Sequence, residues 1–159
     1  MYDLNDLPRV EFLRKLKILD TEADPLMDAI THLAKSYFRV PIALVSFVDE
    51  DRQWFKSSQG LDASETPRKW AFCDHAIRQD EVMVIPDAQQ DERFMSNPLV
   101  TGEPHIRFYA GAPIRVEGHA LGTVCIIDTT PRQFTGDQLI RLVHMADMVE
   151  DVLSGLAPA

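Results

Sequence analysis

Two cysteines are the residues of this chain with the clearest capacity for chemistry. Cys73 is followed two positions later by His75, and Cys125 lies far downstream. A thiol beside an imidazole suggests a metal site or an activated nucleophile. Residues two apart, however, diverge on a helix and share a face only on a strand. Zinc needs three or four ligands, and no other local cluster supplies them; His119 can come near only through folding. The plainer reading is a buried thiol and a pocket or surface imidazole. Two distant cysteines without CxxC spacing are expected to be reduced and unbridged. A redox role would need an exposed, acidified Cys73 and a resolving partner, for which Cys125 is the candidate.

A second group is charged and aromatic. Asp91, Glu92 and Phe94 lie together, and Arg107 follows. Arg107 could hold a phosphate or carboxylate, but a structural salt bridge with Asp87, Asp91 or Glu92 is favoured. Trp54, Phe55, Phe72, Phe94, Phe108 and Tyr109 are core by default, and some could line an apolar pocket. His32 and His144 read as ordinary surface or interface residues. No Ser-His-Asp pattern, P-loop or dinucleotide fingerprint is present.

The elements that must position these residues follow from periodicity and breakers. Val10, Leu13 and Leu16 predict a helix over 8–19. Asp24 and Pro25 open a second, with Met27, Ile30, Ala34 and Tyr37 on one face, ended by Pro41. Residues 42–48 read as a strand buried on both faces, paired through a polar turn with 52–57. A loop runs through Pro67, a short helix covers 73–78, and 82–85 forms a strand stopped by Pro86. Residues 87–105 are irregular. A long hairpin joins 106–116 to 119–128 through Glu117-Gly118, and Pro113 implies an edge, a bulge or an end of pairing. Thr135 to Gln138 fits a capping box for a last helix reaching Leu153. Its seam is Leu139, Leu142, Ala146, Val149 and Leu153, beside a second strip of Met145, Met148 and Val152. Hairpins and helices in this order make an α+β fold with helices on one sheet.

With 159 residues, 45% of them hydrophobic, the chain suits one compact domain with a real core. A net charge of −9 makes nucleic acid a poor partner, and the longest apolar run is too short to span a bilayer. The N-terminus has no basic start and no signal-like apolar segment, so a cytoplasmic location is expected.

Several stretches together carry a resemblance. They are Ile18-Leu19-Asp20-Thr21, Ala43 to Asp49, Asp51 to Ser57, Ala71 to Ile77, Asp91 to Phe94, Arg107 to Pro113, and Leu121 to Asp128. In this order the chain resembles GAF domains of bacterial signalling proteins, the kind found with histidine kinases and diguanylate cyclases. The resemblance implies a PAS-like α+β fold. A central antiparallel sheet carries a ligand pocket on one face, roofed by the short helix and the irregular segment. The terminal helices cover the other face and commonly make a dimer. It divides the chain into an N-terminal helix (1–20), the GAF domain (21–155) and a tail (156–159).

The function implied is a non-catalytic sensory module for an unidentified small molecule. Candidate pocket residues on the family's ligand-side segments are Phe72, Cys73, His75 and Asp91, with Phe94, Arg107, Tyr109 and Cys125. The family's bilin-linking cysteine would fall just before Ile106; residues 95–107 contain none, so no covalent bilin is expected. The Asn-Lys-Phe-Asp-Glu signature of cyclic-nucleotide GAF domains is not present as a set, and neither is the clustered cysteine set of GAF-fold methionine sulfoxide reductases. The ligand and any cofactor are unnamed. Expected partners are a second copy, through the first and last helices, and an output domain or partner kinase or cyclase. The alternatives are a small thiol-based redox enzyme or sensor using Cys73 and Cys125, and a structural dimerisation module with a vestigial pocket.

Overall fold

The computed structural model describes residues 6–156. Five helices, α1 (Leu7–Lys15), α2 (Pro25–Phe38), α3 (Phe72–Ala76), α4 (Pro98–Thr101) and α5 (Gly136–Ser154), accompany six strands. The strands are β1 (Ile42–Val48), β2 (Arg52–Gln59), β3 (Glu65–Pro67), β4 (Met83–Ile85), β5 (Phe108–Val116) and β6 (His119–Asp128). They form one antiparallel sheet in the order β3-β2-β1-β6-β5-β4. The expected α+β class and helix-on-sheet layering are what the structure has.

The central strands β1 and β6 are the sheet's spine. Every residue of β1 is buried, as an apolar run covered on both faces requires. One face packs Val45, Phe47, Phe108, Ile114 and Ile126 against α2 and α5. The other packs Leu44, Tyr109, Cys125 and Ile127 against α3, α4 and the loops around them. The β5–β6 turn works as the sequence implies, with Glu117 (φ 50°) and Gly118 (φ 82°) both left-handed, as a two-residue type I′ turn needs. Asp24 accepts from the amides of Leu26 and Met27, and the Thr135–Gln138 capping box is formed in both directions. Among the described residues no helix is long and apolar enough to cross a membrane.

The structure corrects several details. The first helix stops at Lys15, not 19, because Lys17 and Asp20 turn left-handed (φ 57° and 61°). On α2 the buried stripe ends at Phe38, four residues after Ala34, so Tyr37 faces out. On α5 the seam is Leu142, Met145, Ala146, Val149 and Leu153; Leu139 is exposed and Met145 takes an inner place. The expected loop before Pro67 contains edge strand β3, which is too short to leave a period-two signal. The segment 87–105 contains the single-turn α4, capped by Asn97. Pro113 lies beyond β4, whose pairing reaches only Gly111 on β5, and next to the register shift at Ile114/Arg115. The first five residues of the N-terminal unit and most of the expected tail lie outside the described residues.

A buried ion cluster joins α1 to the sheet's opposite edge of loops. Asp6 accepts from Arg9 (2.6 Å) and from Arg68 (2.7 Å). Arg9 also donates to the carbonyl of Val48, and Arg68 to the carbonyls of Asp49 and Glu50 and to Asp74 on α3. Burial alone would raise the Asp6 carboxyl, but the hydrogen bonds from Arg9 and Arg68 outweigh it and bring it from 3.8 down to about 2. A depressed carboxyl stabilises the fold fully above its unfolded value, and that contribution is lost as pH falls through the folded one. Solvent screening discounts the shift of this part-exposed group, so Asp6→Asn is expected to cost about 1 kcal/mol at pH 7 in urea unfolding, with the difference from wild type vanishing as pH falls from about 4 to about 2. A pH-independent difference would show that Asp6 acts through something other than its charge.

Candidate functional site

Helix α3 lies across the centre of the sheet because its apolar residues Phe72, Cys73 and Ala76 are all buried there. Beneath it, β1 and β6 present hydroxyls in register: Ser46 pairs with Thr123. The Cys73 sulfur sits 3.1 Å from Ser46 Oγ, 3.0 Å from Thr123 Oγ1 and 3.2 Å from Tyr109 Oη. Cys125 adjoins the same nest. Gly111 makes room for it, since a Cβ there would fall 2.2 Å from the Tyr109 hydroxyl.

The two thiols share their titration. Burial opposes a thiolate at Cys73 most strongly, yet bonds from Cys125, Ser46, Thr123 and Tyr109 all favour it and bring Cys73 down to about 7. Cys125 moves the other way, held protonated by its bond to Cys73 and by burial. A low pKa is half of thiol reactivity; access is the other half. Cys73 is 1% exposed and Cys125 is 0% exposed.

An aromatic lid explains that burial. Phe72 stacks on Phe94 with ring centres 4.0 Å apart, and Phe72 leans on Tyr109 at 5.2 Å. His75 meets Phe94 edge-on at 4.9 Å and is half-buried. Burial chiefly lowers its pKa, so the imidazole is neutral at pH 7. Asp91 pairs with Arg93 at 2.8 Å, and that hydrogen bond is the main cause lowering its carboxyl. Arg107 donates to the carbonyls of Val100 and Ile106, both at 3.0 Å. The favoured salt bridge to Asp87, Asp91 or Glu92 is thus replaced by a clamp on α4. Of the eight sequence candidates, Phe72, Cys73, Phe94, Tyr109 and Cys125 come together in one packed cluster. His75 borders it, while Asp91 and Arg107 serve neighbouring loops.

The open space on this face lies to the side. A cavity of about 390 Å³ has Ile42, Leu44 and Ile127 as its floor and Phe55, Leu61 and Leu99 as walls. None of the eight candidates lines it. Gln53 does: it is 5% exposed, its Nε2 donates to Thr66 Oγ1 at 3.0 Å, and among the described residues its buried Oε1 has no partner. Sequence reasoning passed over Gln53, Ser46 and Thr123. The available signal was a polar side chain inside a strand whose faces are both covered. Among the described residues no three His, Cys, Asp or Glu side chains gather as metal ligands.

The sealed nest predicts silent thiols. Native protein is expected to leave Ellman's reagent unreacted over minutes, with both cysteines reacting after denaturation. Cys73→Ala, which strips three buried hydroxyls of a partner, is expected to cost about 1–3 kcal/mol. Prompt native labelling of Cys73 would contradict the seal.

Comparison with known proteins places this geometry. The GAF domain family model matches residues 22–153. A cyclic di-GMP phosphodiesterase of Pseudomonas aeruginosa is 43% identical over 150 residues, which are 93% of this chain and 26% of that protein, so the chain spans about a quarter of that relative. The type II free methionine-R-sulfoxide reductase of Thermoplasma acidophilum superposes with a TM-score of 0.67 at 14% identity, covering 94% of this chain and 97% of that one. The GAF domain of an Acinetobacter phosphoenolpyruvate-protein phosphotransferase gives 0.66 at 16%, covering 93% and 94%. At those identities the two structures share the fold. The family match extends over most of the chain, from before α2 to the end of α5, and on it the chain belongs to the GAF domain family.

Proposed function

We propose that this GAF domain is a non-catalytic sensory module whose lateral cavity takes a small molecule and whose helical face passes the signal on. The observation that carries the reading is the apolar cavity with an unpartnered Gln53 oxygen buried in it. A buried acceptor without a partner is costly, and a ligand is one thing that supplies the partner. The thiol-enzyme alternative draws on the contact between Cys73 and Cys125 and on the fold shared with a methionine sulfoxide reductase. Burial of both sulfurs weighs against it. In the Pseudomonas relative the matching segment is part of a protein named for cyclic di-GMP hydrolysis. By analogy, the output here is turnover of a cyclic dinucleotide, in an attached domain or a partner, at a cytoplasmic location.

The helical face favours a second copy as partner, with a change in which helices meet. Phe12 stacks on His119 at 4.7 Å, and Val10 and Leu13 are buried, so α1 spends most of its apolar residues within its own domain and leaves Leu7 exposed at its start. The exposed apolar residues on the two long helices include Leu33 and Tyr37 on α2 and Ile140 and Met148 on α5. We place the dimer contact on α2 and α5. Sedimentation equilibrium should find a dimer at about 50 μM, a contact of roughly −6 kcal/mol or better, and Leu33→Glu with Met148→Glu should make it monomeric without unfolding it. A monomeric wild type would remove this part of the reading.

Native mass spectrometry of protein purified from its own cells tests the main reading. A retained small molecule is expected in wild type and in Cys73→Ser, and is expected to be lost in Ala63→Trp, which fills the cavity mouth. Retention unaffected by Ala63→Trp would place the ligand elsewhere, and cysteine-dependent turnover of a sulfoxide would replace the sensor with an enzyme.

A further inference from the structure

The lateral cavity is chemically one-sided. Among the described residues its two ionisable lining groups are Asp62 and Glu103, and no Lys, Arg or His lines it. Both carboxylates belong to exposed residues at the mouth, whereas Gln53 is buried. His105 approaches Glu103 from outside the lining, at 3.5 Å. The Gln53 amide cannot swing to solvent to satisfy its oxygen. It is held by Thr66 on β3, and the Gln53 side chain is itself buried. A buried end that wants a hydrogen-bond donor therefore faces a mouth that wants positive charge, with apolar walls between.

On these grounds, and resting on the proposed binding role, we infer that the cavity takes a compact apolar amine. One end carries an N–H or O–H donor for Gln53 Oε1, and the other a cationic group beside Asp62 and Glu103. Anionic ligands are disfavoured, because they would set like charges together with no cation of the lining to offset them. A cyclic dinucleotide, with two phosphates, is the wrong chemistry for this site. The signal sensed is then distinct from the nucleotide whose turnover the output controls. The cavity's volume is at the lower end of small-molecule sites and suits a bicyclic ring with a short side chain.

Four indoles separate the two ends of the site. Tryptamine has the ring N–H and a cation, 1-methyltryptamine lacks only the ring N–H, indole lacks the charge, and indole-3-acetate reverses it. Each is titrated into the dimeric or monomeric wild-type chain at one fixed pH, by calorimetry and by amide shifts in two-dimensional NMR. Tryptamine is expected to bind about tenfold tighter than indole-3-acetate, with shifts concentrated at residues 60–66 and 99–106. Ring methylation is expected to weaken binding about three- to tenfold. Gln53→Met should abolish that methylation penalty, and Asp62→Asn with Glu103→Gln should narrow the charge preference. If Gln53→Met does not fold, the wild-type methylation penalty alone decides the point. Equal or tighter binding of indole-3-acetate, or no methylation penalty, overturns the ligand class while leaving the cavity as a binding site. No shift at 60–66 and 99–106 from any of the four at about 1 mM, or shifts confined to another surface, overturns both the class and the cavity reading.

Discussion

The structure turns on one constraint: polar atoms stranded in the middle of a sheet that is covered on both faces. Ser46 and Thr123 sit opposite each other on β1 and β6, far from water. Each buried hydroxyl without a partner would cost on the order of 1–3 kcal/mol, so partners must be supplied from within. The two hydroxyls meet each other at 3.2 Å and both meet the Cys73 thiol, which also reaches the Tyr109 hydroxyl, and this fixes α3 over the sheet's centre. Gly111 follows from the same constraint, because the Tyr109 hydroxyl occupies the place of its missing side chain. Once α3 is seated, Phe72 and Phe94 close over the thiol. The lateral cavity lies at the β1–β2 side, under the loops at 60–66 and 99–106.

This arrangement links the site to both ends of the domain. Arg68 holds Asp74 on α3 with one part of its guanidinium and Asp6, ahead of α1, with another. Arg132 ties the C-terminal end of α2 to the end of β6 through the carbonyls of Phe38 and Arg39 and the Asp128 carboxylate. The cavity floor is formed by β1 and β6, whose opposite faces bear on α2 and α5. A guest that changes the spacing or twist of these strands acts on the helical face through a single layer of backbone. Close packing transmits such a strain rather than absorbing it.

Most of the fold was legible in the sequence because it is written in periods and caps: the buried runs of β1 and β6, the Glu117-Gly118 turn, the Asp24 and Thr135 caps. Elements of three or four residues, too short to repeat a period, were not, which is why β3 and α4 read as loops. Site residues were legible by type and not by role. Phe72, Cys73, Phe94, Tyr109 and Cys125 do meet, but as packing and a sealed hydrogen-bond nest. Whether aromatic side chains line a space or fill it depends on ring positions a few ångströms apart, and no spacing rule carries that. Arg107 pairs with the Val100 carbonyl on α4, an element the sequence did not reveal, and with that of Ile106. Gln53 was hidden because a polar residue on a hairpin strand normally faces solvent, and only the β3 strap and the 99–106 loop place it indoors.

On the proposed reading the guest site lies beside the thiol nest and not within it. Amide hydrogen exchange measures this most directly, on protein isolated from its own cells and on the same protein after denaturation, dialysis and refolding. Removal of the guest is expected to speed exchange at residues 60–66 and 99–106, with α3 and the centres of β5 and β6 unchanged. Faster exchange centred on α3 and on residues 109–111, with the lateral loops unaffected, would put the site under the aromatic lid and contradict the claim.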